Sequence, residues 1–197
     1  RGLVMEDVTG IDLPDVAARQ RVIDAALVEL TTRPIDAFTL QAVAVRAEMD
    51  VGVIRQVWPS ATTLMTNALD QFFDRTVPIP DTGSLPGDLR DYARSYAALI
   101  NSAMGKRMLN ALMISPRTWD LTNTRATYLA ERQAKVGAVV QRAVGRGECV
   151  TGTDPDRLID LLCAGLAYIV LAYGRDVTDD DCEYVVDTLL NGITRNP

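Results

Sequence analysis

Arg55 and Gln56 stand side by side on a short apolar-patterned segment, Asp50 to Trp58, in which Ile54 and Val57 or Trp58 take the inner face. Val51, Gly52, Arg55 and Gln56 are left on the outer face of its first turn and a half. A guanidinium matches the O6 and N7 acceptors of guanine and a carboxamide matches N6 and N7 of adenine, each through two hydrogen bonds. The chemistry these two side chains suit is therefore reading base edges. Thr39, Ser60 and Thr62 fall at or near expected helix starts, with Arg46 close by in the chain. A hydroxyl and free backbone N–H groups hold a phosphate there, although capping the helix accounts for the same hydroxyls.

Other chemistries find little to work with. The chain has no histidine, and Cys149, Cys163 and Cys182 are far apart with no Cys-x-x-Cys pair, so neither a zinc site nor histidine-based catalysis is expected. Cys163 and Cys182 lie on apolar helical faces and read as small buried hydrophobes in a reducing cytosol. Asp154 with Asp156, and Asp179 to Asp181, stand at helix starts where capping is a sufficient account. No Gly-rich phosphate loop or nucleophile motif is present, and neither cofactor nor metal is expected.

A base reader needs a helix held clear of its own core. The stretch Thr39 to Leu64, TLQAVAVRAEMDVGVIRQVWPSATTL, supplies one. Leu40, Val43, Ala44 and Ala47 recur at i, i+3, i+4 and i+7 behind Thr39 as N-cap; a break follows at 47–50, and Asp50 caps a second helix. Ahead of them a helix from Pro14 to Leu30 places Val22, Ile23, Ala26, Leu27 and Leu30 on one face to cover the pair. The expectation is a three-helix, helix-turn-helix domain over 14–60 that fits a major groove.

Thr39, Val43-Ala44, Ala47, Met49, Gly52, Ile54, Trp58, Ser60 and Leu64, preceded by Arg21-Val22-Ile23 and Ala25-Ala26, resemble the DNA-binding domain of the TetR (tetracycline repressor) family of transcriptional regulators. The likeness covers about the first third of the chain. It implies a ligand-responsive regulator, usually a repressor, that binds a palindromic operator in double-stranded DNA as a homodimer. Four positions depart from the family pattern, which usually has Gly where this chain has Glu48, Ser at Asp50, Tyr at Arg55 and Lys at Ala61. The family's phosphate contact is then lost at Ala61 and a negative charge is added at Asp50. Arg55 has a longer, permanently charged reach with which to offset both.

The remainder, 61–197, reads as an all-α ligand-binding and dimerisation domain, making about nine helices in total. Residues 1–13 form an acidic arm expected to be disordered. Pro59 and Ser60 start a helix reaching Thr76, and Val77 to Pro86, with its three prolines and a glycine, marks a loop. Two helices split at Gly105 follow, then a long one from Asp120 to Ala143. Asp154-Pro155 and Thr178 begin the last two. Phe72, Tyr92, Tyr96, Ile100, Met104, Met108, Leu112, Trp119 and Tyr168 are large side chains suited to line a pocket for a small apolar or aromatic ligand, as the resemblance also implies. The helix Leu158 to Tyr173 is apolar almost all round and is expected to be buried on two sides. With the last helix it would form a four-helix dimer interface through Leu158, Leu162, Leu166, Ile169, Val170, Val185, Val186 and Leu189.

The longest uncharged run, Leu161 to Gly174, falls short of the roughly 20 residues a membrane span needs, and the acidic start is unlike a signal peptide. A cytoplasmic protein is expected. The net charge of −6 speaks against nonspecific coating of nucleic acid, yet within Arg19 to Ser60 five arginines balance five acids, so the candidate reader is less acidic than the rest. Two other functions fit parts of the sequence. One is a ligand-binding or interaction dimer of the same fold whose DNA reader has decayed, suggested by Glu48, Asp50 and Ala61 together; the other, supported only by the acid pairs, is an enzyme.

Overall fold

Helix caps divide this chain. The computed structural model describes residues 15–33, 37–113, 121–149 and 152–193, with side chains except at 111–113, 121–129, 131 and 193. The expected arm, Pro14, and the side chains of Leu112 and Trp119 lie outside the described residues. Within them are nine helices and no strand: α1 Val16–Thr32, α2 Leu40–Ala47, α3 Val51–Val57, α4 Ala61–Thr76, α5 Leu85–Asn101, α6 Ala103–Met113, α7 Leu121–Gly145, α8 Pro155–Tyr173 and α9 Asp179–Ile193.

Most starts carry a side-chain cap on an otherwise orphaned backbone N–H. Asp15, Thr39, Asp50, Ser60, Ser84 and Asp154 accept from amides in the first turns of α1, α2, α3, α4, α5 and α8. At α9 the exchange is reciprocal: the Asp181 amide donates to Thr178 Oγ1 at 3.2 Å and the Thr178 amide to Asp181 Oδ2 at 2.8 Å.

The break between α5 and α6 falls at Ser102, whose hydroxyl oxygen accepts from the Gly105 amide at 2.9 Å. Gly105 is what allows so sharp a corner, because a Cβ there would lie 2.0 Å from the Leu99 carbonyl oxygen.

Two apolar clusters result. One joins α1, α2, α3 and the first half of α4 through Val22, Ile23, Val43, Ile54, Trp58, Leu64 and Met65, and it continues to Leu69. The first half of α4, which follows the expected boundary at Ser60, thus packs into the N-terminal core. The other cluster joins α5, α7, α8 and α9 through Leu89, Tyr92, Tyr96, Val136, Val140, Leu162, Leu166 and Val186. Phe72 and Phe73, near the end of α4, pack against both.

Candidate nucleic-acid interface and effector region

The short helix α3 is anchored from behind. Ile54 is fully buried and Trp58 nearly so, and the Trp58 indole donates to Asn67 Oδ1 on α4 at 3.2 Å. In front, Asp50 Oδ1 accepts from the Gly52 amide at 2.7 Å and the Val53 amide at 3.3 Å. A Cβ on Gly52 would stand 2.8 Å from that same oxygen, so the glycine is what leaves room for the carboxylate cap. Arg55, Gln56 and Gly52 are exposed on the outer face as expected. Val51 is not: it is half-buried against the N-terminal cluster, because the first turn of so short a helix leans on the core.

The turn into this helix passes through Glu48, which adopts the left-handed conformation (φ 52°, ψ 48°) and caps α2 through its own amide. A side chain at that angle costs on the order of 1 kcal/mol relative to glycine, which the surrounding core sustains.

Arg46, partly exposed, also has a partner inside the chain. Its Nε donates to Glu29 Oε1 at 2.7 Å, and Glu29, only 2% exposed, has Arg33 as its other cation at 3.2 Å. Arg46 thus neutralises a buried carboxylate where α1 meets α2. Thr39 and Ser60 are exposed and cap their helices. Thr63, which the sequence pattern had not singled out, completes a capping box by accepting from the Ser60 amide at 3.1 Å. Thr62 is half-buried beside it.

In the C-terminal half, Tyr92 and Tyr96 stack with ring centroids 6.4 Å apart and planes 3° from parallel. Burial pushes both phenols well above their ordinary value. Burial pushes the thiol of Cys163, which packs against the same core, up to about 12. Ile100 belongs to the same cluster and Phe72 reaches it from α4. Met104, Met108 and Tyr168 lie apart from these. Met108 is buried in the N-terminal cluster and Met104 packs against it, since α6 turns back beneath α1, where the Arg107 guanidinium donates to the Thr31 carbonyl at 2.7 Å. Tyr168 is 59% exposed and meets Tyr173 edge-on at 5.5 Å.

Arg132 on α7 was missed. It is 8% exposed, donates from Nη1 to Asp74 Oδ1 at 2.9 Å and from Nη2 to the Val77 carbonyl at 2.6 Å, and lies 5.4 Å from the Phe73 ring centroid. Its signal was positional: Arg132, Val136, Val139 and Val140 run down one helical face, so the cation interrupts an apolar stripe. Nearer solvent, Lys135 ties the same helix to Asp70 at 2.6 Å and Asp74 at 3.1 Å.

Leu158, Leu162, Leu166, Val170 and Val186 are buried within the single chain, while Ile169, Val185 and Leu189 are half-buried against the same core. The first five were expected at a dimer interface but serve the protomer's own core instead. What α8 and α9 turn outward is Leu161, Tyr168, Tyr173 and Tyr184, the last 75% exposed.

An exposed Arg-Gln pair on the second helix of a helix-turn-helix, joined to an all-helical bundle, defines the class: a helix-turn-helix transcription regulator. Residues 79–189 match the family model described as tetracyclin repressor-like, C-terminal domain. The regulator AqdR of Rhodococcus erythropolis, of the helix-turn-helix type, is 27% identical over 175 residues, covering 88% of this chain and 84% of its own. Among solved structures, the TetR family transcription regulator SCO0332 superposes with a TM-score of 0.73 at 24% identity, covering 90% of this chain and 99% of its own. SmeT in its complex with triclosan gives 0.61 at 19% identity, covering 91% and 93%. The chain belongs to the tetracycline repressor family of transcriptional regulators and is not an enzyme. Among the described residues no helix is long and apolar enough to cross a membrane, and no group of His, Cys, Asp or Glu could hold a metal.

Proposed function

We propose that this regulator binds a palindromic operator in double-stranded DNA as a homodimer, represses from it in the cytoplasm, and is relieved by a small ligand bearing an aromatic or apolar body. The observation that carries the DNA part is the outer face of α3. Arg55 and Gln56 are exposed there with no internal partner among the described residues, on a helix fixed by Ile54, Trp58 and the Asp50 cap. Two bidentate-capable side chains on a rigid support are what base readout needs. Homodimerisation is supported by the outward Leu161, Tyr168, Tyr173 and Tyr184 of α8 and α9, a concentration of large side chains that a second copy would cover. The ligand part is supported by the stacked tyrosines in the second core and by the similarity to SmeT, which has been solved with triclosan.

A second reading, a ligand-binding dimer whose reader has decayed, is favoured by one specific arrangement. Asp50 fills the α3 amides with its own carboxylate, so a DNA phosphate finds them taken and meets a negative charge. Footprinting on the DNA flanking the protein's own coding region separates the two. Protection of two half-sites about one helical turn apart supports the repressor; no protection at any site by a folded dimer supports the decayed reader.

A further inference from the structure

Arg132 is the only buried cation among the described residues, and its contacts with Asp74, the Val77 carbonyl and the Phe73 ring leave one of its donors unused. The link it makes between α7 and α4 is already supplied by Lys135, which reaches Asp70 and Asp74 without leaving solvent. Its own partner Asp74 is half exposed, so a cation on the surface would serve that carboxylate equally well. Nη1 and Nη2 are engaged, but the Nε donor is shut off from water and has no acceptor among the described residues. A permanently charged guanidinium with a free donor, set in the apolar stripe of α7 beside Val136, is costly unless an acceptor arrives. Val136 belongs to the cluster that holds the stacked Tyr92 and Tyr96, and the charge of Arg132 is felt at both Tyr92 and Cys163.

We infer that Arg132 is the charge partner of the effector, and that the effector is an apolar or aromatic molecule carrying an acidic oxygen, a carboxylate or an ionised phenol or enol. This rests on the ligand-responsive reading above and names the ligand's chemical class. A neutral molecule gives the Nε donor only a weak acceptor, whereas an oxyanion forms the charge-assisted, two-donor geometry that a guanidinium favours. The aromatic body then lies against Tyr92 and Phe73. The same side chain also carries the message. Its other donors hold Asp74 and the Val77 carbonyl at the C-terminal end of α4, and the opposite end of α4 carries Leu64 and Met65 of the reader's core. An anionic ligand at Nε leaves the Nη1 bond to Asp74 in place but draws on the same positive charge, and so loosens the guanidinium's hold on that carboxylate. That gives it the unequal affinity for two arrangements of α4 that any ligand-driven change requires.

The test titrates the protein calorimetrically at neutral pH with 2-naphthoate and with 2-naphthamide, which share a ring system and differ in charge. The acid is expected to bind about tenfold tighter or better, the equivalent of one charged hydrogen bond. Arg132→Gln should bring the two affinities together with the helical circular dichroism unchanged. Asp74→Asn removes the carboxylate that draws on the same charge, on a half-exposed site, and should tighten naphthoate alone, so the inference stays testable even if Arg132→Gln fails to fold. Equal affinity for acid and amide in the wild type, a preference that survives Arg132→Gln, or no gain in Asp74→Asn overturns the inference and leaves the ligand-responsive reading standing. Binding of neither probe, nor of neutral naphthalene derivatives, removes that reading and this inference with it.

Discussion

At the scale of single residues, the outer face of α3 separates two kinds of cation. Arg55 has no internal partner among the described residues, so Arg55→Ala should leave stability unchanged and cost about 1–3 kcal/mol on the true operator, with discrimination lost at one base pair. A loss of equal size on operator and random DNA would instead assign Arg55 a phosphate. Arg46 is expected to behave in the opposite way. Arg46→Ala leaves the buried Glu29 carboxylate with Arg33 alone, 3.2 Å away, so urea denaturation should register a loss of about 1–3 kcal/mol. Any fall in DNA affinity should follow the unfolded fraction. Ala61 follows the Ser60 cap directly, at the positive end of α4. Ala61→Lys should strengthen binding to all sequences alike and steepen the salt dependence by about 0.9 per half-site, because phosphate contacts carry no sequence code.

Among the elements, the start of α9 makes a prediction with a definite sign. Arg175 holds the Asp181 carboxyl well below the usual carboxylate range, with the Thr178 amide adding to the effect. A carboxyl depressed in the folded state contributes stability that is fully present above its unfolded value of about 3.9 and is lost as pH falls through the folded one. Acid unfolding below about pH 4 should therefore be less steep in Asp181→Asn, which has already given up that contribution. Caps of this kind are why element starts were legible in the sequence. Thr39, Asp50, Ser60, Asp154 and Thr178 announce helices through local chemistry that needs no tertiary partner. The pocket residues were less legible, because methionine spacing shows which face of α6 is apolar and not which core it meets. Met104 and Met108 face the N-terminal cluster since Ser102 and Gly105 turn α6 through a corner, a tertiary fact without a periodic signature. Arg132 was hidden for the converse reason, being a charged residue on a face read only for its apolar members.

For the whole molecule, the proposed dimer raises the question of which face of α8 a second copy would cover. From Leu161 onward its sequence is uncharged on every side, so no polar side marks what faces out, and Leu158, Leu162, Leu166 and Val170, expected at a partner's surface, are buried in the protomer's own core. The exposed residues now give a cleaner test. Leu161→Asp and Tyr168→Asp alter side chains 61% and 59% exposed, and so should split the dimer in sedimentation while thermal unfolding of the protomer stays cooperative. A stable monomer in the wild type at micromolar concentration would end the dimer reading. Leu166→Asp, by contrast, buries a charge in the protomer's own core and should abolish folding altogether.

Gly52 and Asp50 together constrain how this reader can change by descent. With the carboxylate in place, a methyl at position 52 pushes Asp50 Oδ1 off the α3 amides, and losing about 1 kcal/mol of capping cancels what the methyl gains in helix propensity. Where position 50 is already alanine, the same methyl meets nothing and gains roughly 1 kcal/mol of helix propensity over glycine. The two substitutions are therefore unequal in the two orders, and a lineage that begins from this pair must give up its aspartate before it can profit from replacing its glycine.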